Sequence, residues 1–178
     1  MKIMILRIAS IVVLCVACNL LRGCVTYDNA VVYQKNYDPG KNIELQFNGF
    51  YRTKNNENLF PIFFYADGSV LFAGFSKDTI ELKAAILSNP KTVWGYWGNY
   101  KISRDTIIVE TFPPNINTFN QDRYLRKGII HKDQIVFFGE IKREGKTNNI
   151  NETIEFVNFK TKPDSTANWI RKKKKYNK

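Results

Sequence analysis

Leu59-Phe-Pro-Ile-Phe-Phe-Tyr65, then Ala66, the pair Asp67-Gly68 and the run Ser69-Val-Leu-Phe-Ala-Gly-Phe75 form the stretch whose reading decides the fold. Leu59–Tyr65 is rich in aromatic residues, and Val70–Phe75 is a second apolar run. Asp67-Gly68 between them suits the left-handed backbone of a tight turn, so the segment reads as a β-hairpin.

Outward from the hairpin the punctuation is regular. Ile43-Glu-Leu-Gln-Phe47 alternates apolar and polar residues, the period of a half-buried strand, and continues through Gly49-Phe50-Tyr51. On the other side, Trp94–Ser103 leads through Arg104-Asp105 into Thr106–Phe112, and Pro113-Pro114 breaks the chain. Arg123–Ile130 then leads through His131-Lys132-Asp133 into Gln134–Lys142; Gly145–Asn151 reads as a polar loop and Thr153–Phe159 as the last strand. One helix interrupts this series. Asp78-Thr-Ile-Glu81 has the spacing of a capping box and Pro90 closes the segment. Within it Ile80, Ala84 and Leu87 form one apolar stripe and Leu82, Ala85 and Ile86 another, which fits either a plug at the rim of the sheet or a connector packed outside it.

The expected fold class is therefore all-β. It is an antiparallel up-and-down meander of about eight strands closed into a barrel, with one short helix between strands 3 and 4 and room for a short C-terminal helix. A two-layer sandwich is the competing arrangement.

Asn48-Gly49-Phe50-Tyr51, the aromatic hairpin and Trp97-Gly-Asn-Tyr-Lys-Ile-Ser-Arg-Asp-Thr-Ile107 together resemble the lipocalin-like lipoproteins of Gram-negative envelopes. Lys162-Pro-Asp-Ser-Thr166 ahead of Trp169 is similar too, so the resemblance runs from Ile43 to Ile170. Gly49-x-Tyr51 stands where lipocalins carry Gly-x-Trp. The resemblance implies a barrel that holds a small hydrophobic molecule. In such a barrel the alternation along Trp94, Tyr96, Tyr100 and Ile102 places these side chains on one face, with Phe63, Tyr65, Phe72 and Phe137 expected on facing walls. Tyr124 and Arg126 share a strand face with Gly128 and could set a hydroxyl and a charge at the mouth for a carboxylate or phosphate head. If aromatic rings fill the core instead, the barrel is a structural or protein-interaction module of the outer membrane that presents its loops to an envelope protein partner.

Catalytic patterns are missing. His131 is the only histidine and sits in an expected turn beside Lys132 and Asp133. There is no nucleophile elbow, zinc-binding helix, phosphate-binding loop or dinucleotide fingerprint. Glu110 and Glu140 are a carboxylate pair of the kind any sheet offers. The expectation is a non-enzymatic protein without cofactor or metal.

The N-terminus addresses location. Lys2 and Arg7 precede an apolar run from Ile8 to Leu21, which is shorter than the roughly 20 residues a spanning helix needs and contains Asn19. Leu21-Arg-Gly-Cys24 behind it resembles the lipobox of bacterial lipoproteins, with Arg22 at a position usually small or apolar. Cys24 is the expected site of lipidation, with palmitate as the label that reports it; Cys18, preceded by Ala17, is the alternative. Cys15-x-x-Cys18 lies inside the apolar run with no second pair to complete a metal site.

The expected organisation is a signal peptide over 1–23, a lipidated tether over 24–42 that contains Asp38-Pro-Gly40, a barrel domain over 43–162 and a basic tail over 163–178. The partner is then a membrane, reached through the lipid, and the location is the bacterial outer membrane.

The formal charge of +11 divides along the same lines. Loss of Lys2, Arg7 and Arg22 with the signal lowers 27 basic residues to 24 against 16 acidic ones, or +8. Six of those basic residues lie between Arg171 and Lys178, which leaves the body near +2. The basicity belongs to a tail that either frays in solvent or supports the anchor at anionic headgroups, and no stacking aromatics interleave it as a nucleic-acid site requires.

Overall fold

The computed structural model describes residues 44–54, 57–91, 95–112, 123–141 and 147–172. Among them, eight strands follow one another around a closed antiparallel barrel. They are β1 (Gly49–Thr53), β2 (Ile62–Phe64), β3 (Ser69–Ala73), β4 (Gly95–Ser103), β5 (Thr106–Thr111), β6 (Tyr124–His131), β7 (Gln134–Ile141) and β8 (Thr147–Asn158). Closure comes from β1, which pairs with β2 at Tyr51↔Ile62 and with β8 from Gly49↔Asn158 to Thr53↔Ile154. Every strand thereby has two neighbours.

The Asp67-Gly68 turn forms, but as a three-residue loop. Phe64 pairs with Val70, the Tyr65 amide donates to the Ser69 carbonyl (3.0 Å), and Gly68 adopts a left-handed φ of 82°. The Asp67 carboxylate accepts from the Ser69 amide at 2.9 Å and fixes the loop from within. Loop length sets which residues share a face, because side chains alternate with period two. A two-residue turn would put Phe63 opposite Phe72; the observed register puts Ile62 there and Phe63 opposite Leu71.

Alternation sorts the barrel into two apolar clusters. The inward cluster takes residues from all eight strands, among them Tyr51, Phe64, Val70, Tyr100, Ile107, Ile130, Phe137 and Ile154. The second lies on the outer face of β1–β4 and contains Phe50, Phe63, Leu71, Trp97 and Phe112. Helix α1 (Thr79–Ser88) covers this outer face with Leu82 and Ile86, and the C-terminal segment adds Ile170 from the short helix α2 (Trp169–Lys172). Hence β2 and β3 are buried on both faces, whereas the outer face of β6–β8 has no such cover.

Helix α1 begins where the capping box placed it. The Asp78 carboxylate accepts from the Ile80 and Glu81 amides at 2.9 and 2.8 Å, and Glu81 reaches back to the Lys77 amide at 2.6 Å. Of the two expected stripes, Leu82 and Ile86 are buried while Ala85, Ile80, Ala84 and Leu87 stand exposed. The helix is a cover on the outer wall and no plug at the rim.

Two further expectations shift. Glu44–Phe47 is not strand but crosses the end of the barrel that carries the β2–β3, β4–β5 and β6–β7 turns. Leu45 is buried there, Glu44 accepts from the Lys132 amide at 2.7 Å, and the Gln46 amide donates to the Tyr51 hydroxyl at 3.0 Å. Its alternating pattern serves a lid with one face on the core. Conversely, Thr147–Asn151, expected as loop, is strand: Thr147, Asn148 and Asn149 pair with Ile141, Glu140 and Gly139. These polar residues are held by the ladder with little burial, and composition gives no sign of that. The segment after 163 is also more than a tail, because Pro163, Asn168 and Ile170 are buried against the wall.

Candidate functional site

The two ends of the barrel are built differently. At the lidded end, Tyr51 and Phe64 meet edge to face with centroids 5.4 Å apart, and Phe64 meets Tyr100 at 5.2 Å. The Tyr100 hydroxyl donates to the Tyr65 carbonyl at 2.6 Å. Lys162 closes the outside of this end: its ammonium donates to the Phe47 and Phe64 carbonyls, each at 2.8 Å, and lies 4.3 Å from the Tyr65 ring centroid. Burial pulls the Lys162 pKa down to about 8, against an upward pull from Asp67. Burial likewise pushes the Tyr51 phenol up to about 12, although its hydrogen bond from Gln46 acts the other way.

The opposite end opens into a pocket of about 590 Å³. Its apolar wall comes from Phe60, Pro61 and Ile62 at the start of β2, Phe72 and Ala73 at the end of β3, and Tyr96 on β4. Phe72 and Tyr96 stack with ring centroids 5.2 Å apart and planes 7° from parallel. Phe60 on the rim is exposed and sits beside exposed Phe75, centroids 5.9 Å apart.

The polar wall is Thr53, Arg126 and Glu152. Arg126 donates to Glu140 from Nε at 3.3 Å and to Glu152 from Nη1 at 3.0 Å, and its guanidinium lies 5.9 Å from the Phe137 ring centroid. The Thr53 hydroxyl donates to the other oxygen of Glu152 at 3.2 Å. Burial pushes the Tyr96 phenol above its ordinary value; Arg126 pulls it down while Glu152, Glu140 and Tyr124 push it up. Tyr96 is therefore a protonated hydroxyl at neutral pH, close to this ion network.

A bulge assembles the network. Gly128 pairs with Phe137, but Lys127 pairs with Gly139, so Phe138 is an extra residue in β7. If Phe138 took a regular place in the ladder, Glu140 would point outward; because Phe138 bulges instead, Glu140 lies opposite Arg126 on the inner face. Gly128 provides the matching space, since a side-chain carbon there would stand 2.9 Å from Phe137 Cδ1.

Of the residues singled out in the sequence, Phe72, Tyr96 and Arg126 line the pocket. Tyr124 lies within electrostatic reach of Tyr96. Phe137 and Tyr100 face inward but are buried in the packed core. Phe63 and Tyr65 are corrections: the three-residue hairpin loop turns both to the outer cluster, where the Tyr65 hydroxyl donates to the Pro163 carbonyl at 3.0 Å. Trp94 and Cys24 lie outside the described residues. Glu110 is fully buried opposite Asn99, on the face of β5 turned away from the barrel core, so it does not face Glu140. The carboxylate that joins Glu140 at Arg126 is Glu152, two residues ahead of inward Ile154. Sequence reading missed Thr53 and Glu152; extending the alternation of Ile154 and Phe156 back by two residues would have found the latter.

Among the described residues no cluster of three or more His, Cys, Asp or Glu is arranged to hold a metal, and no helix is long and apolar enough to cross a membrane. No protein-family model matches the chain, and no curated protein or solved structure matches it.

Proposed function

We propose that this chain is a lipid-anchored protein of the bacterial outer membrane whose lipocalin-like barrel binds a small hydrophobic molecule in the pocket at its open end. The carrying observation is the pocket itself. Its volume of about 590 Å³ is within the range of small-molecule sites, roughly 300–1,000 Å³, and it joins an aromatic wall to a few convergent polar groups. At the lidded end Tyr51, Phe64 and Tyr100 are buried against one another, whereas the open end holds the pocket, which suits a container. Binding without turnover is the favoured role. The arginine at the mouth is engaged by two carboxylates, and the one histidine of the chain lies at the opposite end, beside the β6–β7 turn.

Native mass spectrometry of the purified protein tests the cargo: a co-purified lipid-sized mass that is lost on Tyr96→Ala supports binding, and a bare protein mass under all conditions speaks against it. Anchoring is tested separately. Cys24→Ser is expected to release the protein from membranes, and palmitate labelling that persists in this variant would shift the anchor to Cys18.

A further inference from the structure

We infer that the pocket selects amphiphiles with a cationic polar end, an alkyl- or arylammonium, over those with a carboxylate. The inference rests on the reading that this pocket binds a small hydrophobic molecule, and it reverses the head group that Arg126 suggests from sequence alone. Arg126, Glu140 and Glu152 are the charged side chains that the described structure gathers at the polar wall, and they sum to one negative charge. Arg126 is already committed to both carboxylates and to the Phe137 ring. An incoming carboxylate could reach only the remaining N–H groups of Arg126 and would do so beside Glu152 and Glu140, which repel it.

An ammonium meets the reverse situation. Glu152 lines the pocket with a side chain 29% exposed, accepting one bond from Thr53 on one oxygen and one from Arg126 on the other. A carboxylate offers about four lone-pair sites, so Glu152 keeps acceptor capacity toward the cavity. The Phe72 and Tyr96 rings border the same space and favour a cation beside them, while Pro61 and Ile62 receive the apolar body.

Three water-soluble probes with one common body separate the cases: 4-phenylbutylammonium, 4-phenylbutanol and 4-phenylbutyrate, titrated calorimetrically into the full-length protein at pH 7. The ammonium is expected to bind about tenfold or more tightly than the butyrate, with the alcohol between them. Glu152→Gln is expected to erase most of that preference while the alcohol stays within about twofold, with a thermal melt to verify folding. Butyrate binding as tight as the ammonium in the wild-type protein overturns the inference and leaves the binding reading intact. Saturable binding by none of the three overturns both. The wild-type comparison stands even if the variant does not fold.

Discussion

The lidded end and the open end of this barrel use the same residue types for opposite purposes. At the lidded end Tyr51, Phe64 and Tyr100 interlock edge to face under Leu45, and the tyrosine hydroxyls are spent on backbone partners. At the open end Phe72 and Tyr96 stack flat against one side and leave the other side to an ion network. The difference shows that aromatic content alone does not define a pocket. What matters is whether rings meet from all directions or from one.

The comparison is most strongly broken by Phe64→Ala. Phe64 is 1% exposed among rings that cannot collapse onto the space, so a loss of about 3–5 kcal/mol is expected in urea unfolding. The same truncation at the mouth, Phe72→Ala, is expected to cost about 1–2 kcal/mol, because its ring faces a space that is already open. Cargo affinity measured on that variant should fall about tenfold, whereas stability and affinity falling together to the Phe64 level would erase the distinction between the ends.

A pH titration sharpens the same contrast at the lidded end. Lys162 has a folded pKa lowered to about 8 from 10.5, so between these values the unfolded chain binds more protons than the folded one. Stability therefore rises with pH across that window. Tyr51 acts in the opposite direction at higher pH, since its phenol stays protonated to about 12 in the fold and ionises near 10 when unfolded. The melting temperature is expected to climb from pH 8 to about 10 and then fall, and Lys162→Met should flatten the climb. The smallest effect is at a turn. Lys132 holds a left-handed φ of 46°, and Lys132→Gly keeps the amide that donates to Glu44. A gain of up to about 1 kcal/mol is expected from relief of this conformation, measurable as a shift in the urea midpoint.

The strand series and the capped helix were legible because they rest on local rules: alternation, a turn pair, and Asp78 three residues ahead of Glu81. Barrel closure followed from the even spacing of those strands. The site was legible only in part. Tyr96 and Arg126 were found from parity within one strand, which needs no partner. Phe63 and Tyr65 were misplaced because their face depends on a loop of three residues in place of two, and Glu140 keeps its partner because Phe138 bulges out of the β7 ladder. Glu152 escaped notice because the polar residues ahead of it read as loop. Register between strands is decided by hydrogen-bonded pairing, and hydrophobic periodicity carries little trace of it.

The supernumerary Phe138 has a consequence for how such a container can change. Deleting it would restore plain alternation in β7, with Gly139 opposite Lys127 and Glu140 still opposite Arg126, so the inner wall would keep both carboxylates at the arginine. The hydrogen-bonded hoop around the barrel could persist through that event. A single codon can thus be gained or lost at this point without changing which side chains face the pocket.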